Sequence, residues 1–354
     1  MVTDSGISCR ARLAVLVGAG CRENAISAGA DAEPGATGRA SGERPGGSRL
    51  RVAVRPAGDA DGAGADQAAR LLRACDERGL LDVRTGAGRG PAGLVISVGG
   101  LAGVGGASER GADVRLVADA SLPDQVGRLW ADRAGPFARR LARIEPVPAG
   151  PPALAGHDPA RTAAAARLLG RLETGLRDRG LDDGTWTYDH IGSTAVPGLR
   201  AKPYIDLQLG VTGLPARGSP AEDVLSAAGF QRASGSRSDS PGVDRDGVLD
   251  PAAAVPEAMY RKRLYVRPDP AEPAILHVRL LGAPWWSYTV AFRDWLRGSP
   301  DARRAYQAMK ERVAAEHVSD GDYDDYTRGK TAFFLESRLA WGQRPGPGLS
   351  AGAG

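Results

Sequence analysis

Short apolar blocks separated by polar, Gly-rich segments predict a small α/β unit in the first part of the chain. Ala65–Gly79 has helical spacing, with Leu71, Leu72 and Cys75 on its inner face. Ser121 is a candidate N-cap for a second amphipathic helix. Three apolar blocks are predicted strands: RVAVRP at 51–56, LVISVGG at 94–100 and ADVRLVAD at 112–119. Alternation of strand and helix favours a small α/β unit over residues 49–144.

Residues 160–342 are predicted to form a second, larger domain. Its helices are indicated by 3.6-residue periodicity and by caps such as Ser299 ahead of Pro300. RKRLYVRP and AILHVRLLG are predicted strands, and their succession along the chain suggests a hairpin. Pro-rich residues 145–159 are expected to be an extended linker. Residues 1–48 and 343–354 lack periodicity and are predicted to be mostly disordered.

The segment HIGSTAVPGLRAKPYIDLQLG, residues 190–210, carries the strongest chemical pattern. A predicted strand, TWTYDH, leads into Gly192 and Ser193, a pair that allows close approach of a phosphate and adds a hydroxyl. Lys202 supplies a positive charge nine residues later. Side chains alternate along a strand, so Asp206 is predicted to face away from the core, where it could hold a divalent cation.

A second strand repeats this alternation and adds basic side chains. His277 and Arg279 are predicted to share the face of Asp206, with Arg263 on the neighbouring strand beside them. Together these residues suggest a cleft for a phosphate-bearing small molecule. Each residue also fits a structural role: a turn at Gly192–Ser193, an Asp206–Arg279 ion pair, a core histidine, or solvated basic side chains.

Composition narrows the class of protein only modestly. The formal net charge of +4 is too small to indicate a nucleic-acid or membrane partner. Forty-two of the 46 basic residues are Arg, which reads as a compositional bias in an Ala-, Gly- and Pro-rich chain. An odd number of cysteines without metal-ligand spacing favours a reducing, cytoplasmic setting. No apolar run reaches the ~18 residues that a membrane span needs.

Nucleotide kinase chemistry is disfavoured by the placement of lysine. A phosphate-binding P-loop requires a lysine that reaches the terminal phosphates, and the first lysine of this chain is Lys202. The segment ADVRLVADASLPDQVGRLWADRAGPF nevertheless resembles the closing strand and helix of dephospho-CoA kinases, which precede a similar domain in some proteins. This resemblance implies a kinase relic without its ATP loop; the alternative is a small non-catalytic module.

The motif HIGSTAVPGLRAKPYIDLQLGV resembles the signature of the GrpB family, and KRLYV, LHVRL and YDDYTRGKTAFF follow in the family's order. The resemblance implies a nucleotidyltransferase-like mixed sheet flanked by helices. It also implies that Gly192–Ser193 and Asp206 stand where such enzymes have a Gly-Ser pair and the first metal-binding carboxylate. Gln208 stands where a second acid is expected, and His277 at the place of the third, which makes a two-metal centre poorly supplied with anionic ligands.

Two main hypotheses of function follow, one catalytic and one not. The first is a transferase in which Asp206 binds Mg²⁺ and His277 acts as ligand or acid/base. In it, phosphates are held by Gly192, Ser193, Lys202, Arg263 and Arg279. The second is a non-catalytic module that binds a nucleotide or a CoA-like metabolite. A third, a role in CoA biosynthesis, is suggested only by domain order. The sequence indicates neither a substrate nor an oligomeric state.

Overall fold

A computed structural model describes nine stretches of the chain, and the predicted disordered ends lie outside them apart from Ser48. The described residues are 48–57, 62–86, 90–100, 111–143, 151–234, 240, 242–331, 333–334 and 336–337, with gaps between them. Gly46–Gly354 forms one compact unit.

The first sheet has four parallel strands in the order β2-β1-β3-β4. Their bounds are β1 Leu50–Pro56, β2 Leu81–Thr85, β3 Leu94–Gly99 and β4 Val114–Val117. The three predicted strands are present, whereas the pattern of the sequence does not reveal β2. This strand lies at the edge of the sheet, where LDVRT keeps only its first residue buried and so lacks a clear apolar repeat.

Helices cover this sheet and close its core. Their bounds are α1 Ala63–Cys75, α2 Leu122–Leu129 and α3 Gly135–Leu141. One π-helical turn, Trp130–Ala134, joins α2 to α3. Buried Leu72, Ile96 and Phe137 pack in the resulting core. The parallel α/β unit expected from residues 49–144 is therefore present.

The second sheet is mixed, with five strands in the order β5-β6-β9-β8-β7. Their bounds are β5 Thr187–Ile191, β6 Ile205–Val211, β7 Gln231–Arg232, β8 Lys262–Arg267 and β9 Ala274–Leu280. β6 and β9 run parallel, whereas β5, β8 and β7 pair antiparallel with their neighbours. The predicted hairpin of RKRLYVRP and AILHVRLLG is β8 paired with β9.

Helices flank the second sheet on both sides. Their bounds are α4 Pro159–Arg177, α5 Pro220–Ala227, α6 Pro284–Gly298, α7 Pro300–Glu316 and α8 Asp324–Gly329. One core joins α4 and α5 to the sheet, and another packs α6, α7 and α8 around Phe292 and Tyr306. The expected mixed sheet with flanking helices is confirmed. Within the described residues, no helix is long and apolar enough to cross a membrane.

A buried network of ion pairs joins the two sheets. Arg267 has no exposed side-chain area, and it contacts Asp269 at 2.7 Å and the Gly93 carbonyl oxygen at 2.6 Å. Asp269 also accepts from Arg133 at 2.7 Å. Gly93 and Arg133 belong to the first α/β unit, whereas Arg267 ends β8 and Asp269 follows it. The two parts of the chain are therefore locked together by desolvated charges.

Replacing Asp269 with Ala is expected to destabilise the protein by about 3–5 kcal/mol, because it removes the carboxylate paired with the buried Arg267 and leaves Arg133 with Glu272 alone. Chemical denaturation measures the change. The control Arg84→Ala removes a pair whose arginine side chain is 63% exposed, and solvent screening makes its expected effect much smaller. Equal effects of the two variants would contradict the account of the junction.

Candidate functional site

A tight bend after β5 brings the backbone against Asp206. Ile191, the last residue of β5, pairs with Asp206 of β6, and Gly192 then turns with φ 69°. A Cβ at Gly192 would lie 2.8 Å from the Asp206 Cβ, closer than side chains normally approach. Glycine is required here both by the left-handed backbone and by the carboxylate beside it. The structure thus brings the predicted bend and the predicted acid together.

Strand register places Asp206 and His277 on the same face of the sheet. Leu207 and Leu276 are register partners and both lie in the core, so their neighbours point the other way. Gln208 pairs with His277 in the same register. Asp206 and His277 are both half-buried. We call the part of this sheet face that lies beside the Gly192–Ser193 bend the hollow.

Gln208 is a structural residue and does not open to the hollow. Its side chain is fully buried; its Nε2 donates to the Trp286 carbonyl oxygen at 2.9 Å. Its Oε1 accepts from Arg279 at 2.7 Å and from Thr289 at 2.8 Å. Arg279 is in turn held by Asp246 through contacts of 2.6 and 3.0 Å. Arg279 therefore lies on the predicted face, but its guanidinium is already engaged by protein groups.

The prediction that the Arg263 side chain faces the hollow is wrong. Arg263 pairs with core residue Val278, and its neighbour Lys262 pairs with Arg279. Lys262 is the residue that reaches the polar face, where its Nζ lies 2.9 Å from Asp246 and 3.2 Å from His277 Nδ1. A shift of one residue along a strand exchanges its two faces, which explains the error.

All four lysines of the chain converge electrostatically on Asp206. They are Lys202, Lys262, Lys310 and Lys330. Each interacts with the Asp206 carboxylate by charge, although no described residue forms a hydrogen bond or an ion pair within 4 Å with it. Analysis of the motif alone identified only Lys202. The signal for the others is the rarity of lysine in a chain whose remaining basic residues are all Arg.

Hydrogen bonds and cation–π contacts position the ammonium groups of three of these lysines. Lys310 Nζ donates to Ser193 Oγ at 3.3 Å and to the Arg200 carbonyl oxygen. Lys202 Nζ lies 3.9 Å from the ring centroid of Tyr323, and Lys330 Nζ lies 4.6 Å from that of Tyr326. Such cation–π contacts stabilise ammonium groups without neutralising their charge.

Burial and mutual repulsion make these lysines easier to deprotonate. Desolvation and the charge of Lys330 lower the pKa of Lys202 to about 7 and that of Lys310 to about 7. Desolvation, together with Arg279, lowers the pKa of Lys262 to about 8, although Asp246 opposes the shift. Desolvation also raises the pKa of Asp206, against the attraction of Lys202 and the other cations.

The contacts of His277 indicate a neutral ring with its proton on Nε2. Burial and the charges of Lys262 and Arg279 hold its pKa well below the usual value. Its Nδ1 lies 3.3 Å from Arg279 Nη2, which can only donate, so Nδ1 accepts and the proton stays on Nε2. A neutral imidazole with a free N–H suits an anionic ligand better than a metal ion.

The residues of the hollow do not fit a magnesium ion held by the protein. No group of three or more Asp, Glu, His or Cys side chains with metal-binding placement occurs among the described residues. Mg²⁺ prefers carboxylate and water oxygens, whereas one carboxylate here faces four lysines. The field of this site repels a divalent cation and attracts an anion.

Comparison with known proteins identifies the family of the larger domain. Residues 151–338, more than half of the chain, match the family model described as GrpB protein. The chain therefore belongs to the GrpB family, as its motifs indicated. A "UPF0157 protein" of Deinococcus radiodurans is 31% identical over 147 residues, covering 41% of this chain and 62% of the relative. The crystal structure of conserved protein GrpB from Enterococcus faecalis is 20% identical, with TM-score 0.37, and covers 54% of this chain and 100% of that one.

Other relatives are named dephospho-CoA kinase. The protein of Mycolicibacterium paratuberculosis is 34% identical over 227 residues, 63% of this chain and 54% of the relative. That of Mycobacterium tuberculosis is 33% identical over 238 residues, 65% of this chain and 56% of the relative. These alignments are longer than residues 151–354, so they include part of the N-terminal region, which resembles these kinases. The chain spans about half the length of the curated relatives it matches.

Gly192→Ala is expected to cost roughly 1–3 kcal/mol more than Gly198→Ala in chemical denaturation. Both glycines have positive φ, but only at Gly192 would a Cβ strike Asp206, while nothing lies within 4 Å at Gly198. Comparing the two variants therefore isolates the contact with Asp206. Equal destabilisation would show that the bend does not press on the carboxylate.

The free energy of unfolding is expected to rise between about pH 7 and about pH 9.5. In this window the folded lysines release protons that unfolded lysines retain, so the unfolded state binds more protons and a rising pH favours folding. Urea denaturation across the window measures the slope, and Lys202→Met is expected to flatten it. A slope of opposite sign, or one unchanged in Lys202→Met, would contradict the placement of the lysines.

Proposed function

We propose that the hollow of this GrpB-family protein binds the phosphate groups of a nucleotide or CoA-like metabolite. The single observation that carries the proposal is the convergence of all four lysines on one carboxylate. Elsewhere the chain uses Arg for its basic positions. Lysine differs from arginine because its compact ammonium can approach a phosphate oxygen as a point charge and can lose its proton.

Charge balance supports an anion as the ligand. Four ammonium groups, of which Lys262 and Lys310 are almost fully buried, repel one another in a poorly solvated place. Asp246 offsets Lys262 and Arg279, and the carboxylates that interact with Lys202 and Lys310 are Asp206, Asp324 and Glu311. Phosphate oxygens would supply the missing negative charge, with His277 Nε2 and Ser193 Oγ as donors.

The arrangement favours binding over two-metal nucleotidyl transfer. Such transfer needs several carboxylates around a metal pair, whereas Gln208 is locked in protein hydrogen bonds and His277 stands beside Lys262. A transferase that binds Mg²⁺ at Asp206 is the second hypothesis. The two hypotheses predict opposite effects of Asp206→Asn on stabilisation by the ligand. The names of the kinase relatives suggest dephospho-CoA as one ligand to test.

Thermal unfolding with inorganic pyrophosphate, ATP and dephospho-CoA, each with and without Mg²⁺, tests the proposal. A ligand at 100 times its dissociation constant adds about 2.7 kcal/mol of stability, so a rise of several degrees in Tm is expected without metal. Lys330→Met should lose most of this rise. Arg304→Met removes a charge from an exposed side chain of α7 and should keep it.

Asp206→Asn distinguishes the two hypotheses. If the hollow binds phosphate directly, removing the negative charge should strengthen the metal-free stabilisation. If Asp206 holds Mg²⁺ for transfer, stabilisation should require the metal and disappear in the variant. No shift of Tm in the wild-type protein with any of the three ligands would overturn the proposal.

A further inference from the structure

The side chains of Ser193 and Lys310 are within hydrogen-bond distance of each other beside the hollow. Lys310, in α7, is 117 positions from Ser193 in the sequence, yet its Nζ lies 3.3 Å from Ser193 Oγ. Lys310 is 1% exposed, whereas Ser193 is half-buried and directly follows the exposed Gly192. A buried amine at hydrogen-bond distance from the hydroxyl of a half-buried serine provides the two parts of a serine–lysine nucleophile.

The fold limits the orientation of both groups. Gly192 turns the chain so that Ser193 begins a short 3₁₀ turn, Ser193–Ala195, next to Asp206. Lys310 Nζ is also anchored to the Arg200 carbonyl oxygen, which uses one N–H. A neutral amine anchored in this way keeps its lone pair for the serine hydroxyl proton. Tyr306, one helical turn before Lys310, also interacts with Ser193.

The surroundings of Lys310 favour its neutral form near neutral pH. Desolvation comes first, and the charges of Lys330 and Arg200 add to it, lowering the pKa to about 7. Glu311 and Asp206 oppose this shift.

We propose that Ser193 is a nucleophile, activated by Lys310, that accepts a phosphoryl group from a phosphoanhydride or phosphate ester bound in the hollow. The choice of a phosphoryl group rests on the proposed function, since the lysines around Asp206 would neutralise its charge. The Ser193–Lys310 pair itself rests only on the contact, burial and exposure of the two residues.

The step balances without an oxidant or a metal. Ser193 Oγ attacks phosphorus and gives its proton to Lys310 Nζ. The Oγ–P bond forms as the bond from phosphorus to the leaving oxygen breaks, and the leaving group carries away the bonding pair. The product is a phosphoserine and a protonated Lys310, with Lys202 and Lys330 placed to offset the charge of the phosphoryl oxygens.

A fluorophosphonate probe tests the nucleophile independently of the natural substrate. It reacts in the same sense: the Oγ–P bond forms, the P–F bond breaks and fluoride leaves. Peptide mass spectrometry is expected to find the label on Ser193 in the wild-type protein and none at that position in Ser193→Ala. Arg304→Met, whose side chain is exposed on α7, should label at the wild-type rate.

Lys310→Arg separates a base from a structural anchor. Arginine retains the positive charge and can donate to Ser193 and to the Arg200 carbonyl oxygen, but it cannot accept the proton. Labelling is expected to slow by roughly 10²–10⁴-fold, the usual contribution of a general base. Stabilisation by pyrophosphate should be largely kept. Labelling as fast as in the wild-type protein would overturn the proposal.

The pH profile of the wild-type protein gives a test that does not depend on the folding of a variant. The labelling rate should rise through about pH 7 and then level off, as the neutral fraction of Lys310 saturates. Absence of labelling, or a rate that climbs with hydroxide throughout, would overturn the nucleophile. Stabilisation by pyrophosphate without labelling would support the phosphate site and overturn the nucleophile. Labelling without stabilisation would overturn the phosphate site and the phosphoryl assignment, while leaving an activated serine.

Discussion

The accumulation of positive charge around one half-buried carboxylate is the constraint on which the site depends. Lys202, Lys262, Lys310 and Lys330 come from four separate parts of the chain, and every one interacts with Asp206. Like charges in a poorly solvated place destabilise a protein unless a counter-charge or deprotonation relieves them. Our two proposals correspond to these two routes of relief: an anion that enters the hollow, and a neutral amine that accepts a proton.

Strand pairing, a glycine bend and an ion pair bring the groups of the site together. Antiparallel pairing of β5 with β6 ends beside Asp206, and a glycine bend then places Ser193 over the same face. β9 and β8 add His277 and Lys262 from the other side, held by Asp246. The buried ion pairs that fasten the first α/β unit to the ends of β8 and β9 make that unit a structural support of the GrpB domain.

Local patterns predicted the strand–bend–strand core of the site, because alternation of apolar and polar residues sets which side chains share a face. The placement of Asp206 and His277 on one face of the sheet followed from two such alternations. Arg263 was placed wrongly because RKRLYVRP is basic on both faces, and only the burial of Tyr265 in the core shows which one is inward. Lys310 and Lys330 could not be placed by spacing, since tertiary packing alone brings them to a strand more than a hundred residues earlier. The rarity of lysine in the sequence was the signal that could have pointed to these two residues.

Proton uptake on ligand binding tests the central claim most directly. Isothermal titration of the intact protein with metal-free ATP, near pH 8.5 where its phosphates are already ionised, is compared in two buffers of different ionisation enthalpy. If phosphates enter a cluster of partly deprotonated lysines, binding raises their pKa values and the protein takes up about one proton or more per ATP. Binding with the same enthalpy in both buffers, or no binding at all, would contradict the account.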